Sequence, residues 1–278
     1  MAKQVEERNP AVEEVWRSFL ATGEITKERR QRTFFRHLPR DPRCKHCNAP
    51  FQGLGAPLVR LIYGKRPSKM NPRLCNVCED FANKNLGGAE VELSFLFADI
   101  RGSTTLAEQM SIAEFSRLVD RFYKAATDVM VRTDALIDKL IGDEVTGLYI
   151  PGYAGLDHAR RAVEAAQEIL QVTGHGNPDG PWIPVGAGVH TGMAYVGAVG
   201  SREGVVDITA LGDAPNIGAR LASQADAGEA IISEDTMTAA GLDGENFEPR
   251  LLQLKGRTEP IKVRVLRVGS KDATRWEF

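Results

Sequence analysis

Apolar residues recur at helical spacing near the start of the chain: Val12, Val15, Trp16, Phe19 and Leu20 share one face of a segment running from Asn9 to Leu20. Pro10 falls in the first turn, where its missing N–H costs nothing. The pattern predicts a short amphipathic docking helix there and a basic helix after Thr26. Next comes a stretch punctuated by Pro39, Pro42, Pro50, Pro57, Pro67 and Pro72, in which no long element fits. From Val91 the texture changes. The run VELSFLFA reads as a buried strand, with a helix over about 113–131 and strands on either side of Gly142-Asp143. A helix over about 156–172, a strand over 183–189, a helix over 215–224 and closing strands over 247–254 and 260–268 complete the pattern. This mixture of strands, helices and hairpins predicts an α/β (α+β) layered fold with an at least partly antiparallel sheet. The expected organisation is basic N-terminal helices over 1–40, a cysteine module over 41–88, a large α/β domain over 89–270 and a tail over 271–278.

Composition narrows the class without naming a function. The 278 residues are 42% apolar and 26% charged, with a net charge of -2, which excludes collagen-like and disordered chains. No apolar run approaches the ~18 residues a bilayer span needs, and MAKQVEERNP lacks the apolar stretch of a secretory signal, so a cytoplasmic protein is expected. The net charge conceals an asymmetry: residues 1–90 hold 17 Lys and Arg against 10 Asp and Glu, the rest 18 against 27. Lys27, Arg29, Arg30, Arg32, Arg36, Arg40, Arg43 and Lys45 crowd together. Such a block suits nucleic acid, an anionic surface or the acidic remainder of the same chain.

All four cysteines lie in this basic region, as Cys44-x-x-Cys47 and Cys75-x-x-Cys78. Two tight turns, each presenting two sulfurs, can converge on one tetrahedral ion, and the neighbouring Arg43, Lys45 and His46 favour thiolates. The expectation is a structural Zn²⁺, with an iron–sulfur cluster or a thiol–disulfide pair as the alternatives.

In the acidic part, Asp99 stands where the strand FLFA ends, before the small-residue turn Gly102-Ser103-Thr104 that opens a helix. Backbone N–H groups of such a turn suit phosphate oxygens, and Asp99 suits a bridging cation. Gly142 permits a tight turn that leaves Asp143 at a hairpin tip, where it can join Asp99.

The ordered strings FADIRGST, KLIGDEV, GAGVHTG and LGDAPNIGARLA resemble the catalytic domain of the class III nucleotidyl cyclases, over about two-thirds of the chain. The resemblance implies a ferredoxin-like domain with a mixed, largely antiparallel sheet. It also implies a head-to-tail homodimer that converts a nucleoside triphosphate to its 3′,5′-cyclic monophosphate and pyrophosphate. Two Mg²⁺ or Mn²⁺ would be held by Asp99, Asp143 and the Ile100 carbonyl. Asn216 would orient the ribose and Arg220 would stabilise charge on phosphorus, both from the partner subunit. Gly102, Ser103, Thr104 and Lys255 would meet the triphosphate. Lys139 stands where adenylate cyclases carry lysine and guanylate cyclases glutamate, and Thr209 where a bacterial subgroup carries threonine; the pair favours ATP and cyclic AMP. His190 reads as a packing or hydrogen-bonding residue. Pro215 and Gly218 depart from the usual valine and alanine, which touches nucleotide selection and leaves the metal chemistry alone. One alternative keeps the chemistry with a cyclic pyrimidine product, an antiviral signal. Another, of a different class, is a nucleic-acid-binding zinc module joined to an inactive, dimerising cyclase-like domain. The downstream cyclic-nucleotide receptor is not legible.

Overall fold

The computed structural model describes residues 9–21, 26–38, 42–201 and 204–268. The tail at 271–278, Arg40, and the side chains of Lys27 and Arg29 lie outside the described residues. In chain order the helices are α1 (Pro10–Ala21), α2 (Thr26–Arg36), α3 (Gly55–Tyr63), α4 (Asn76–Lys84), α5 (Ser103–Gln109), α6 (Ile112–Arg132), α7 (Pro151–Ala154), α8 (His158–Val172), α9 (Asp213–Gln224) and α10 (Glu234–Ala240). The strands are β1 (Gly87–Ile100), β2 (Leu136–Ile141), β3 (Glu144–Tyr149), β4 (Val185–Gly200), β5 (Val206–Leu211), β6 (Glu229–Ser233), β7 (Glu248–Leu252) and β8 (Ile261–Arg267). No helix among the described residues is long and apolar enough to cross a membrane.

The chain divides into two compact units, Met1–Val91 with Ala194–Leu211, and Glu92–Met193 with Gly212–Phe278. In the second, strands pair in the order β2-β3-β1-β4-β6-β8-β7. The pairs β2–β3, β1–β3, β6–β8 and β7–β8 are antiparallel, whereas β4–β6 is parallel. Side chains alternate across the sheet as strand geometry requires. Leu96, Ala98, Ile100, Ala230 and Ile232 join a core with Phe122, Val129 and Met130 of α6 and Val163, Ile169 and Leu170 of α8. Ile231, Val263 and Val265 point the other way, to Ile217 and Leu221 of α9. The glycines of GAGVHTG have a packing reason: a Cβ on Gly188 would stand 2.3 Å from the Ala222 nitrogen, so only glycine lets α9 lie so close to β4. The mixed, largely antiparallel sheet with helices agrees with the expected class.

The first unit holds α1 to α4 and the antiparallel β4–β5 hairpin, in which Gly197 faces Thr209 and Val199 faces Asp207. One buried cluster of this unit holds Phe35, Ala49, Val59, Leu74 and the four cysteines, with Leu38, Phe51 and Tyr63 at its edge, and Trp16, Phe19 and Leu20 of α1 are buried as well. Two nine-residue helices, α3 and α4, occupy the proline-broken stretch, because Pro57 falls within the first turn of α3 and α4 contains no proline. The strand expected to end at 189 runs on to Gly200 as an arm of the hairpin, and β6 and α10 were not legible from periodicity. Every residue of β6 is buried, so no alternation marks it.

Candidate active site and cysteine cluster

The strand pairing brings Asp99 and Asp143 together. Asp99 pairs with Glu144 in the β1–β3 register, and the Ile100 N–H donates to the Asp143 carbonyl at 3.2 Å. Gly142, at φ +63°, makes the turn between β2 and β3, and the Tyr123 hydroxyl on α6 donates to its carbonyl at 2.6 Å, fixing the hairpin tip. Burial raises the Tyr123 pKa, and the nearby Asp143 and Asp120 charges raise it further, so the phenol stays a donor. Burial also lifts the Glu144 carboxyl above the usual carboxylate range, against a hydrogen bond from Thr146.

Arg101, which sequence reasoning passed over, ion-pairs with Asp99 Oδ2 and donates to the Ser223 carbonyl at 3.1 Å, at the end of α9. No alternation signal marks it, because Arg101 stands in the turn just past the end of β1. The other carboxylate oxygen, Asp99 Oδ1, is buried without a hydrogen-bond partner. A buried, unpaired carboxylate oxygen, on a strand end whose backbone is hydrogen-bonded to Asp143, offers the oxygen donor chemistry that fits Mg²⁺ or Mn²⁺.

The remaining candidates fall elsewhere. Asn216 is exposed and Arg220 half-buried, four apart on α9 and hence on one helix face. Asn216 Nδ2 donates to the Gly212 carbonyl at 3.1 Å. A methyl on Gly256 would lie 3.8 Å from Arg220 Nη2, so the turn carrying exposed Lys255 adjoins the guanidinium. Among the described residues no hydrogen bond or ion pair joins Asn216 or Arg220 to Asp99 or Asp143. Lys139 is exposed on β2, 3.7 Å from the buried Asp138 carboxylate. Thr209 is buried on β5, in the other unit. Gly102 precedes α5, whose first residues are Ser103 and Thr104. His190 is buried, with Nδ1 2.9 Å from Ser233 Oγ.

In the first unit the four cysteine sulfurs lie within 4.8 Å of one another, and Cys47 Sγ is 3.8 Å from Cys75 Sγ. No pair is bonded as a disulfide. The first knuckle closes with the Asn48 N–H on the Cys44 carbonyl at 2.9 Å, Asn48 taking a left-handed φ of 58°. In the second, Cys75 caps α4 and its sulfur accepts from the Cys78 N–H at 3.5 Å. The Cys75 N–H in turn donates to Cys44 Sγ at 3.2 Å. Hydrogen bonds from Cys44, Cys75 and Cys78 hold the Cys47 thiol well below its usual value, while burial raises Cys44 and hydrogen bonds to its fellow cysteines raise Cys78. His46, expected to favour thiolates as a neighbouring cation, does not carry that charge: it stacks on Phe19 with centroids 5.1 Å apart, and burial pushes its pKa down to about 3.

The sequence model for the adenylate and guanylate cyclase catalytic domain matches residues 89–265. The adenylate cyclase of Anabaena cylindrica is 28% identical over 193 residues, 65% of this chain and 38% of that protein. The crystal structure of the guanylyl cyclase Cya2 aligns with a TM-score of 0.57 at 27% identity, covering 67% of this chain and 97% of that one. The adenylyl cyclase CyaB of P. aeruginosa shares the fold, with a TM-score of 0.54 at 24% identity over 66% of this chain and 97% of that one. The chain spans less than two-fifths of the length of the Anabaena relative, and 27% of adenylate cyclase 1 of Rhizobium meliloti. With a domain match running through well over half of its length, the chain belongs to the adenylate and guanylate cyclase catalytic domain family.

Proposed function

We propose that the protein is a nucleotidyl cyclase that converts ATP to 3′,5′-cyclic AMP and pyrophosphate as a homodimer, with a zinc-bearing N-terminal module. The observation that carries the reading is the strand pairing that seats the Asp99–Ile100 segment against Asp143, together with the buried, unpaired Asp99 Oδ1. Two divalent ions bound there would supply Lewis-acid activation of the ribose 3′-hydroxyl and neutralise charge on the leaving pyrophosphate. Asp99 and Asp143 supply the anionic ligands, while Arg101 holds one Asp99 oxygen and so fixes the carboxylate's orientation. Asn216 and Arg220 share a helix face and lack a link to the two aspartates, which fits their acting across a dimer interface on the other subunit's substrate. There Asn216 positions the ribose and Arg220 donates to the oxygens that gain charge at phosphorus; losing such a donor costs on the order of 100- to 1,000-fold in rate. Lys255 and the Gly102-Ser103-Thr104 turn meet the triphosphate. For the base, the Lys139 ammonium donates to an acceptor edge and the Thr209 hydroxyl adds a second polar contact, a pairing that suits adenine.

The Cys47–Cys75 separation supports one ion at the cluster. Four ligands at ~2.3 Å in a tetrahedron stand ~3.8 Å apart, and a sulfur cage this tight holds one ion and no multi-iron cluster.

The test is incubation of the purified full chain with Mn²⁺ and, separately, ATP, GTP, CTP and UTP, with products identified by mass spectrometry. Cyclic AMP is expected as the main product; Asp143→Ala should abolish it without dissociating the dimer, and Lys139→Glu should shift preference toward GTP. A dominant cyclic pyrimidine overturns the base assignment, and full turnover by Asp143→Ala overturns the metal assignment.

A further inference from the structure

Strand β5 is gripped by both knuckles of the cysteine module. Lys45, the residue after Cys44, has a side chain only 3% exposed, and its Nζ reaches both oxygens of Asp207 on β5, at 3.1 and 3.0 Å. Arg73 Nη1 stands 3.7 Å from the same carboxylate, and the Arg73 carbonyl accepts the Lys45 N–H at 2.8 Å, two residues ahead of Cys75. The neighbouring Val206 carbonyl accepts from Asn71 Nδ2 at 2.9 Å. Asn71 is itself buried, and its N–H donates to Glu79 of α4, the helix that Cys75 caps, at 3.1 Å. Every one of these contacts originates within four residues of a cluster cysteine.

A buried ammonium needs a partner charge, so the Lys45–Asp207 pair couples the geometry of the first knuckle to β5. The buried cluster around the knuckle is eight side chains, of which four are the cysteines. Asp207 lies two residues from Thr209, on the same face of the strand. We propose that an ion in the four-cysteine cluster holds β5 in place, with Lys45 and Asp207 as positioning residues for Thr209, so that occupancy of the cluster sets how the nucleotide base is read. The last clause rests on the assignment of Thr209 to the base pocket; the grip on β5 does not.

The experiment compares amide hydrogen exchange of the full chain with its cluster metal present and after dialysis against excess chelator, before any nucleotide is added. Emptying the cluster should cut protection over residues 206–211 about tenfold or more, with β6 and β8 unchanged. Asp207→Asn should lose the same protection with its metal still bound, and Asp207→Glu should keep it. In turnover, Asp207→Asn should raise KM for ATP and narrow the ATP to GTP preference, with kcat changed less than KM. Wild-type exchange over 206–211 in the emptied protein overturns the proposal. An unaltered nucleotide preference in Asp207→Asn, with exchange already lost, overturns the link to base reading. A protein that makes no cyclic nucleotide overturns the cyclase reading instead, while the exchange result still decides the grip.

Discussion

Gly218 faces the ring of Phe97, and a Cβ there would stand 2.7 Å from Phe97 Cε2 and 2.9 Å from Cδ2. The ring is 6% exposed, so it has little room to move aside. Two effects oppose each other in Gly218→Ala: alanine favours the helix by up to about 1 kcal/mol, while overpacking costs about 1–3 kcal/mol. The contact distance decides for overpacking. Gly218→Ala should therefore lower the thermal midpoint by an amount matching a net loss of about 1–2 kcal/mol; a raised midpoint would show that Phe97 repacks freely. The same residue pair shows why the sequence reading stopped short here. An unusual glycine is visible in a string, but the aromatic ring that demands it is 121 positions away. Arg101 repeats the lesson at the candidate site, because its value lies in contacts with both Asp99 and the end of α9.

Among elements, the cysteine knuckles were legible because two C-x-x-C turns need only local geometry to present their sulfurs. Their supporting helices were not, since α3 and α4 are nine residues each, short enough to be marginal without packing. With half of the buried cluster around the knuckles made of the cysteines themselves, a bound ion would contribute a large part of this module's folding free energy. Elemental analysis of protein purified without added metal should give one zinc per chain and no visible absorbance, and Cys75→Ser should lose the ion and melt the module. A coloured protein would assign iron, and a metal-free, well-folded module would overturn the metal role altogether. The β2–β3 hairpin is the opposite case. Its two strands and the Gly142 turn could be read directly, and the structure adds the Tyr123 hydrogen bond that pins the tip.

The whole molecule carries a pH dependence that no single element does. His158, His175 and His190 are buried, and burial lowers all three pKa values; the Glu92 and Asp157 charges oppose this at His158, and the Asp235 charge at His190. His175 shows the mechanism in one bond, because its Nε2 accepts the Val185 N–H at 3.0 Å and a proton on that nitrogen would break it. Unfolded, each histidine gains a proton near pH 6.5; folded, each does so only at lower pH. Between those values the unfolded chain binds more protons, so stability is full above about pH 6.5 and is lost as pH falls below it. Urea midpoints should accordingly decline between pH 7.5 and 5.5, and a flat profile would contradict the burial of neutral imidazoles.

At this scale the division between sequence and structure is clear. Periodicity determined α1, α6, α8 and the strands β1, β2, β3, β7 and β8, because the spacing of apolar residues reports local geometry and burial. Ordered motifs determined the family and the candidate residues Asp99, Asp143, Asn216 and Arg220. Only the tertiary structure decided what those residues touch: the register that sets Asp99 opposite Glu144, and the Arg101 pair that leaves Asp99 Oδ1 alone. It also decided that the cysteine module grips β5, since Lys45 and Asp207 are 162 positions apart. Contacts between charges distant in sequence leave no periodic trace, and they exist only once the backbone has folded.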